Sequence, residues 1–137
     1  MKVTVETVVA APMEVVWSAW TEPEHITKWC AASVDWHAPR AENDLQIGGR
    51  FTTRMEARDG SAGFDFGGVY TALEEHSKIE YMMDDGRTVQ IHFETTGEGI
   101  EIIETFDTEN KNSAEMQRAG WQSILNRFKE YAEGLPK

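Results

Sequence analysis

Glu104 is the residue hardest to reconcile with a solvated role. Ile100, Ile102 and Phe106 recur at every second position, and Glu104 falls on their face. If that face points inward, a carboxylate goes with it, which is costly unless the group is paired or protonated. A carboxyl so placed can anchor a polar ligand atom, or act as a base in an apolar pocket. The competing register puts Glu101, Ile103 and Thr105 inside, and a bulge would turn Glu104 outward.

His37 is the second candidate. It follows Trp36 in a stretch without clear periodicity, with Glu42, Asn43 and Asp44 nearby. A histidine beside carboxylates can carry a proton at neutral pH; a solvated residue or a loop tether fits the same pattern. His25 lies four residues before Trp29 and shares its helical face, which reads as packing or surface. His92 alternates with Ile91 and Phe93 and belongs to the outer face. Five tryptophans are many for 137 residues, and Trp29 and Trp36 flank the irregular stretch as cavity walls or as plain core. No cysteine and histidine cluster has metal spacing. There is no nucleophile elbow and no phosphate-binding loop. Gly48-Gly49 precedes neither a lysine nor a helix, and Asp84-Asp85 suits a tight turn. No metal or cofactor is expected.

The formal net charge of −11 repels phosphate backbones and anionic lipid, so nucleic acid and membrane partners are not expected. The single cysteine, Cys30, has no partner for an internal disulfide, which suits a reducing cytoplasm. Residues 1–7 alternate polar and apolar types without an export signal. No run approaches the roughly 18 apolar residues of a membrane span. A cytoplasmic protein of one domain, 1–137, is expected.

The elements that would position these residues follow from period and punctuation. Residues 2–10 read as a strand with Val3, Val5, Thr7 and Val9 on one face. Pro12 opens a helix carrying Met13, Val16, Trp17 and Trp20. Pro23 ends it, and a short second helix carries Ile26, Trp29 and Cys30, with Thr21 and Glu24 at capping-box spacing. Between Cys30 and Asp44 only Val34 to Trp36 suggests a short strand. Strands follow at 46–57, 63–74, 78–84, 87–95 and 100–107, the first bent at Gly48-Gly49. Asp59-Gly60 and Asp85-Gly86 mark turns. A long helix spans about 113–133, with Asn112 and Glu115 at capping-box spacing. Its apolar stripe is Met116, Gly120, Trp121, Ile124, Leu125, Phe128 and Tyr131. Gln117, Arg118, Gln122, Asn126, Lys129 and Glu130 fall mostly on the wet side.

The order is strand, two short helices, antiparallel strands, one long helix: an α+β fold in which a curved sheet wraps a single helix. One helix covers only part of such a sheet, and a cavity would lie beneath it. Wall candidates are Phe51 and Met55, then Phe64, Phe66 and Tyr70, then Tyr81 and Met83. Further along come Ile91 and Phe93, Ile102 beside Glu104, and Trp121 and Leu125 from the helix. An adaptable pocket and a filled core both fit these residue types.

Several segments then occur in a recognisable order. They are Trp20-Thr21-Glu22-Pro23-Glu24-His25, Asp44-Leu45-Gln46-Ile47-Gly48-Gly49-Arg50-Phe51, Gly68-Val69-Tyr70, Asp85-Gly86-Arg87, and Gly120-Trp121 with Ile124-Leu125. Together they resemble the START-like (SRPBCC) superfamily, in the branch named after the activator of the 90-kDa heat-shock-protein ATPase. The resemblance runs from about residue 7 to 133. It implies a helix-grip fold with a hydrophobic cavity between the sheet and the C-terminal helix, and no fixed chemistry, since relatives bind lipids or hormones, cyclise polyketides or assist chaperones. The leading expectation is a binding domain for a small apolar ligand rather than an enzyme. A chaperone-assisting module is the second. A cyclase or dehydratase using Glu104 or His37 is the third. An exposed Trp36 segment would also offer a surface for a homodimer.

Overall fold

The computed structural model describes residues 1–31 and 33–136. Ala32 and Lys137, both inside the expected domain, lie outside the described residues. In chain order the elements are β1 (Lys2–Val9), α1 (Met13–Thr21), α2 (Pro23–Trp29), β2 (Trp36–Asn43), β3 (Arg50–Ala57), β4 (Gly63–Glu74), β5 (Lys78–Met83), β6 (Thr88–Thr96), β7 (Gly99–Asp107) and α3 (Ala114–Glu133). The strands form one antiparallel sheet in the order β1-β7-β6-β5-β4-β3-β2. α3 lies on its inner face, the helix-grip arrangement.

Alternation dictates the sheet. Val89, Ile91 and Phe93 of β6 and Ile100, Ile102, Glu104 and Phe106 of β7 are buried, while His92 and Glu94 are exposed. Register shifts between Tyr70 and Ala72 in β4 and between His37 and Arg40 in the border strand β2 bend the sheet. Gly99 opens β7 at φ +142, and a Cβ there would strike the Val9 carbonyl. Only glycine fits so tight a junction between β7 and the end of β1.

Four local expectations are corrected. First, the region after Cys30 holds a full strand, β2, whereas Val34 sits in a turn. Second, the strand read from 46 begins at Arg50; residues 46–48 form a turn in which Gly48 takes φ +85. Third, neither capping box forms. The Thr21 hydroxyl donates to the Trp17 carbonyl at 2.8 Å within α1, and Glu22 precedes Pro23 as the cap of α2 without a side-chain bond. At α3 the cap is Ser113, whose hydroxyl accepts from the Met116 N–H at 3.1 Å. Fourth, the stripe of α3 holds from Trp121 onward but differs in the first turn, where Met116 is 65% exposed and Gln117 is buried.

The polar side of α3 is not simply wet. Arg118 donates to the Thr4 carbonyl at 2.8 Å, Gln122 to that of Glu6 at 3.1 Å, and Lys129 to that of Val8 at 2.7 Å. Glu133 accepts the Ala10 N–H at 2.9 Å. These bonds stitch the helix along the free border of β1, the first strand of the sheet.

Candidate functional site

The space beneath α3 divides into a solid half and an open half. Under its C-terminal half, Phe128 is fully buried, with ring centroids 4.7 Å from Trp20 and 4.9 Å from Trp29, both edge-on. Trp20 and Trp17 also meet Phe93 edge-on, at 5.6 and 5.3 Å. Trp29 is fixed by its indole N–H, which donates to the Ala19 carbonyl at 2.8 Å. Leu125, Ile91 and Ile102 complete this packed block, each 1% exposed or less.

Under the N-terminal half a cavity of about 540 Å³ opens. Gln117, Trp121 and Ile124 roof it, and Phe51, Thr53, Met55, Phe66, Tyr70 and Tyr81 of the sheet form its wall. Trp29 and Cys30 close the inner end. Trp121 is held flat against Phe106 at 4.1 Å and 7°. Gln117 ties the β7–α3 loop across the mouth: its carbonyl accepts the Glu109 N–H at 2.8 Å, and its amide donates to the Asn112 carbonyl at 2.8 Å.

Glu104 reaches this cavity from β7. The inward register holds, since Glu104 stands opposite Val5 on β1 and Ile91 on β6 with no bulge in either pairing. Its neighbours across the sheet are thus apolar. The side chain is 6% exposed, and no described residue hydrogen-bonds its carboxyl. Burial pushes its pKa up to about 8, so the group is mostly protonated at neutral pH. Burial, with Glu104 nearby, also lifts the Cys30 thiol to about 12 and the Tyr81 phenol well above its ordinary value. Tyr70 is raised to about 12 by burial, and its hydroxyl donates to the Asn43 side chain at 2.7 Å. A thiol raised so far above neutral pH stays protonated.

Of the sequence candidates, Trp29, Phe51, Met55, Phe64, Phe66, Tyr81, Met83, Glu104 and Trp121 line the cavity. Ile91, Phe93, Ile102 and Leu125 stand in the solid core behind it. Trp36 and His37 belong to β2 and are not among the lining residues. Trp36 packs on Phe64 at 6.0 Å, and His37 pairs across the strands with Glu56. Sequence reasoning missed Thr53, Gln117 and the rim residues Arg87 and Glu109. Thr53 was findable, because it alternates with Phe51 and Met55. Gln117 was too, because it lies one turn before Trp121.

Residues 10–133 match the family described as activator of Hsp90 ATPase homolog 1-like protein. No curated protein matches. Among solved structures, the AHSA1-like protein from Aeromonas hydrophila is 45% identical, with 97% of this chain and 92% of that one aligned at a TM-score of 0.91. Chr148 from Cytophaga hutchinsonii is 55% identical over 96% and 92% of the two chains, with a TM-score of 0.84. CV1439 from Chromobacterium violaceum, at 22% identity, shares the fold with a TM-score of 0.88 over 100% and 99%. No helix among the described residues is long and apolar enough to cross a membrane. With the seven-stranded sheet gripping α3 and the match running through almost all of it, this chain belongs to the activator of Hsp90 ATPase homolog 1-like family of the START-like (SRPBCC) superfamily.

Proposed function

We propose that this chain binds a small, mostly apolar molecule beneath the N-terminal half of α3, with Glu104 meeting its polar atom. One observation carries the reading: a buried carboxyl with no hydrogen-bond partner among the described residues opens onto an aromatic cavity of about 540 Å³. Small-molecule sites typically measure roughly 300–1,000 Å³ and combine apolar walls with few polar groups. A protonated Glu104 can both donate and accept a hydrogen bond. His37 lies off the lining, so of the two groups named for cyclase or dehydratase chemistry only Glu104 meets the cavity.

N-phenyl-1-naphthylamine, a neutral apolar reporter, should quench tryptophan fluorescence saturably with one site per chain, because Trp20, Trp29 and Trp121 line the cavity. Met83→Trp fills part of the space and should weaken binding about tenfold, the scale of roughly 1.4 kcal/mol. Met116→Trp, on an exposed position, should leave it unchanged. A wild-type titration without saturation would sink the proposal.

A second reading, a module that stimulates a chaperone ATPase, is favoured by the family match over residues 10–133. It predicts a higher ATPase rate of a 90-kDa heat-shock protein in the presence of this chain. An unchanged rate at saturating chain concentration removes it.

A further inference from the structure

We infer that the molecule held in the cavity is a lipophilic amine, whose ammonium group pairs with the Glu104 carboxylate. The inference rests on the ligand-binding reading above and names the chemical class.

Among the described residues, Arg87 is the one basic side chain that lines the cavity. Glu104 is flanked on the sheet by Val5 and Ile91. Cys30 at the end of α2, Asp65 and Tyr70 of β4 and Tyr81 of β5 also line the cavity, all acids and none a source of positive charge. At the mouth, Asp65, Asp84, Asp85 and Glu109 face one lining guanidinium, Arg87, and that group is held by Asp85 at 2.8 Å. Asp84 is engaged by Arg50 and Asp65 by Arg54, and neither of those arginines is among the lining residues. The formal net charge of −11 adds a field that draws cations to the opening and repels anions.

A neutral hydroxyl can satisfy the carboxyl, but a charge-assisted bond against apolar walls is stronger. The exchange balances simply. The ammonium enters with its proton, the Glu104 carboxyl releases its own to bulk water, and an N–H⁺···O⁻ pair replaces a neutral carboxyl. An aromatic or alkyl body then fills the space between Trp121, Phe51 and Phe66.

Three matched probes test this: 4-phenylbutylamine, 4-phenylbutan-1-ol and 4-phenylbutanoic acid, each displacing N-phenyl-1-naphthylamine. The amine should bind at least tenfold more tightly than the alcohol, and the acid most weakly. Glu104→Gln, with the reporter's own affinity measured on that variant, should bring the amine to the level of the alcohol. Calorimetry at pH 7 in buffers of different ionisation enthalpy should show nearly one proton released per amine bound, and none for the alcohol. An alcohol equal to the amine, a preference that survives Glu104→Gln, or displacement by none of the three would overturn the amine assignment with the cavity reading intact. Failure of the reporter itself to bind would overturn both.

Discussion

Phe128→Ala is expected to lower the free energy of unfolding by about 3–5 kcal/mol. The ring is fully buried and stands edge-on between Trp20 and Trp29, the two tryptophans that join α1 and α2 to α3. Its loss removes the transfer energy of a phenyl group and both edge contacts, and leaves a void that rigid indoles fill poorly. A domain of this size is stable by about 5–15 kcal/mol in all, so the loss is a large share. The urea midpoint should fall with an unchanged slope. Met116→Ala is the matched control: it belonged to the expected stripe, but the side chain is 65% exposed. Its cost should stay within about 0.5 kcal/mol. Equal costs for the two variants would mean that α3 is turned by one residue from the position described.

The second large effect concerns Glu104 and pH. Its folded pKa is about 8, whereas an unfolded glutamate titrates near ~4.3. Between these values the folded chain keeps a proton that the unfolded chain has lost. By linkage, stability falls as pH rises through that window. The contribution is fully present below the unfolded pKa and gone once pH has passed about 8. The span corresponds to a few kcal/mol, on the order of 1.4 per pH unit within the window. Glu104→Gln cannot ionise and should remove this slope. The variant should therefore melt above wild type at pH 9 and close to it near pH 5. Melting curves at both pH values decide the matter: parallel pH profiles for the two proteins would show that Glu104 is not desolvated.

What was legible in the sequence follows from where burial imposes a period. β6 and β7 are covered on one face along most of their length, so Val89, Ile91 and Phe93, and Ile100, Ile102 and Phe106, spell out the alternation. The same rule located Glu104, because an inward carboxylate interrupts a pattern that is otherwise apolar. β2 was hidden for the opposite reason. It lies at the border of the sheet, contains Pro39, and shifts register between His37 and Arg40, so no regular face was demanded of it. Gly48-Gly49 announced a backbone irregularity, but a bend within a strand and a turn before one ask for the same residue type. On α3, Met116 attracted the stripe by its chemistry, although Gln117 holds the geometric place one turn from Trp121. Its hydrogen bonds to Glu109 and Asn112 explain why a polar residue is tolerated there. The size of the cavity was not legible, because it depends on how deeply α3 sits and how the rings of Phe66 and Trp121 lean, and neither is encoded in spacing.

The stitching of α3 along β1 has a consequence for how copies of this molecule treat one another. An uncovered border strand is a template on which foreign chains add and aggregates grow. Here Arg118, Gln122 and Lys129 occupy the Thr4, Glu6 and Val8 carbonyls that an incoming strand would use. At the opposite border, Pro39 withholds an N–H and the local shift breaks the repeat. Neither margin offers a newcomer an unbroken ladder, so edge-to-edge polymerisation is discouraged even where the protein is crowded. Self-association, where it occurs, must use side-chain surfaces.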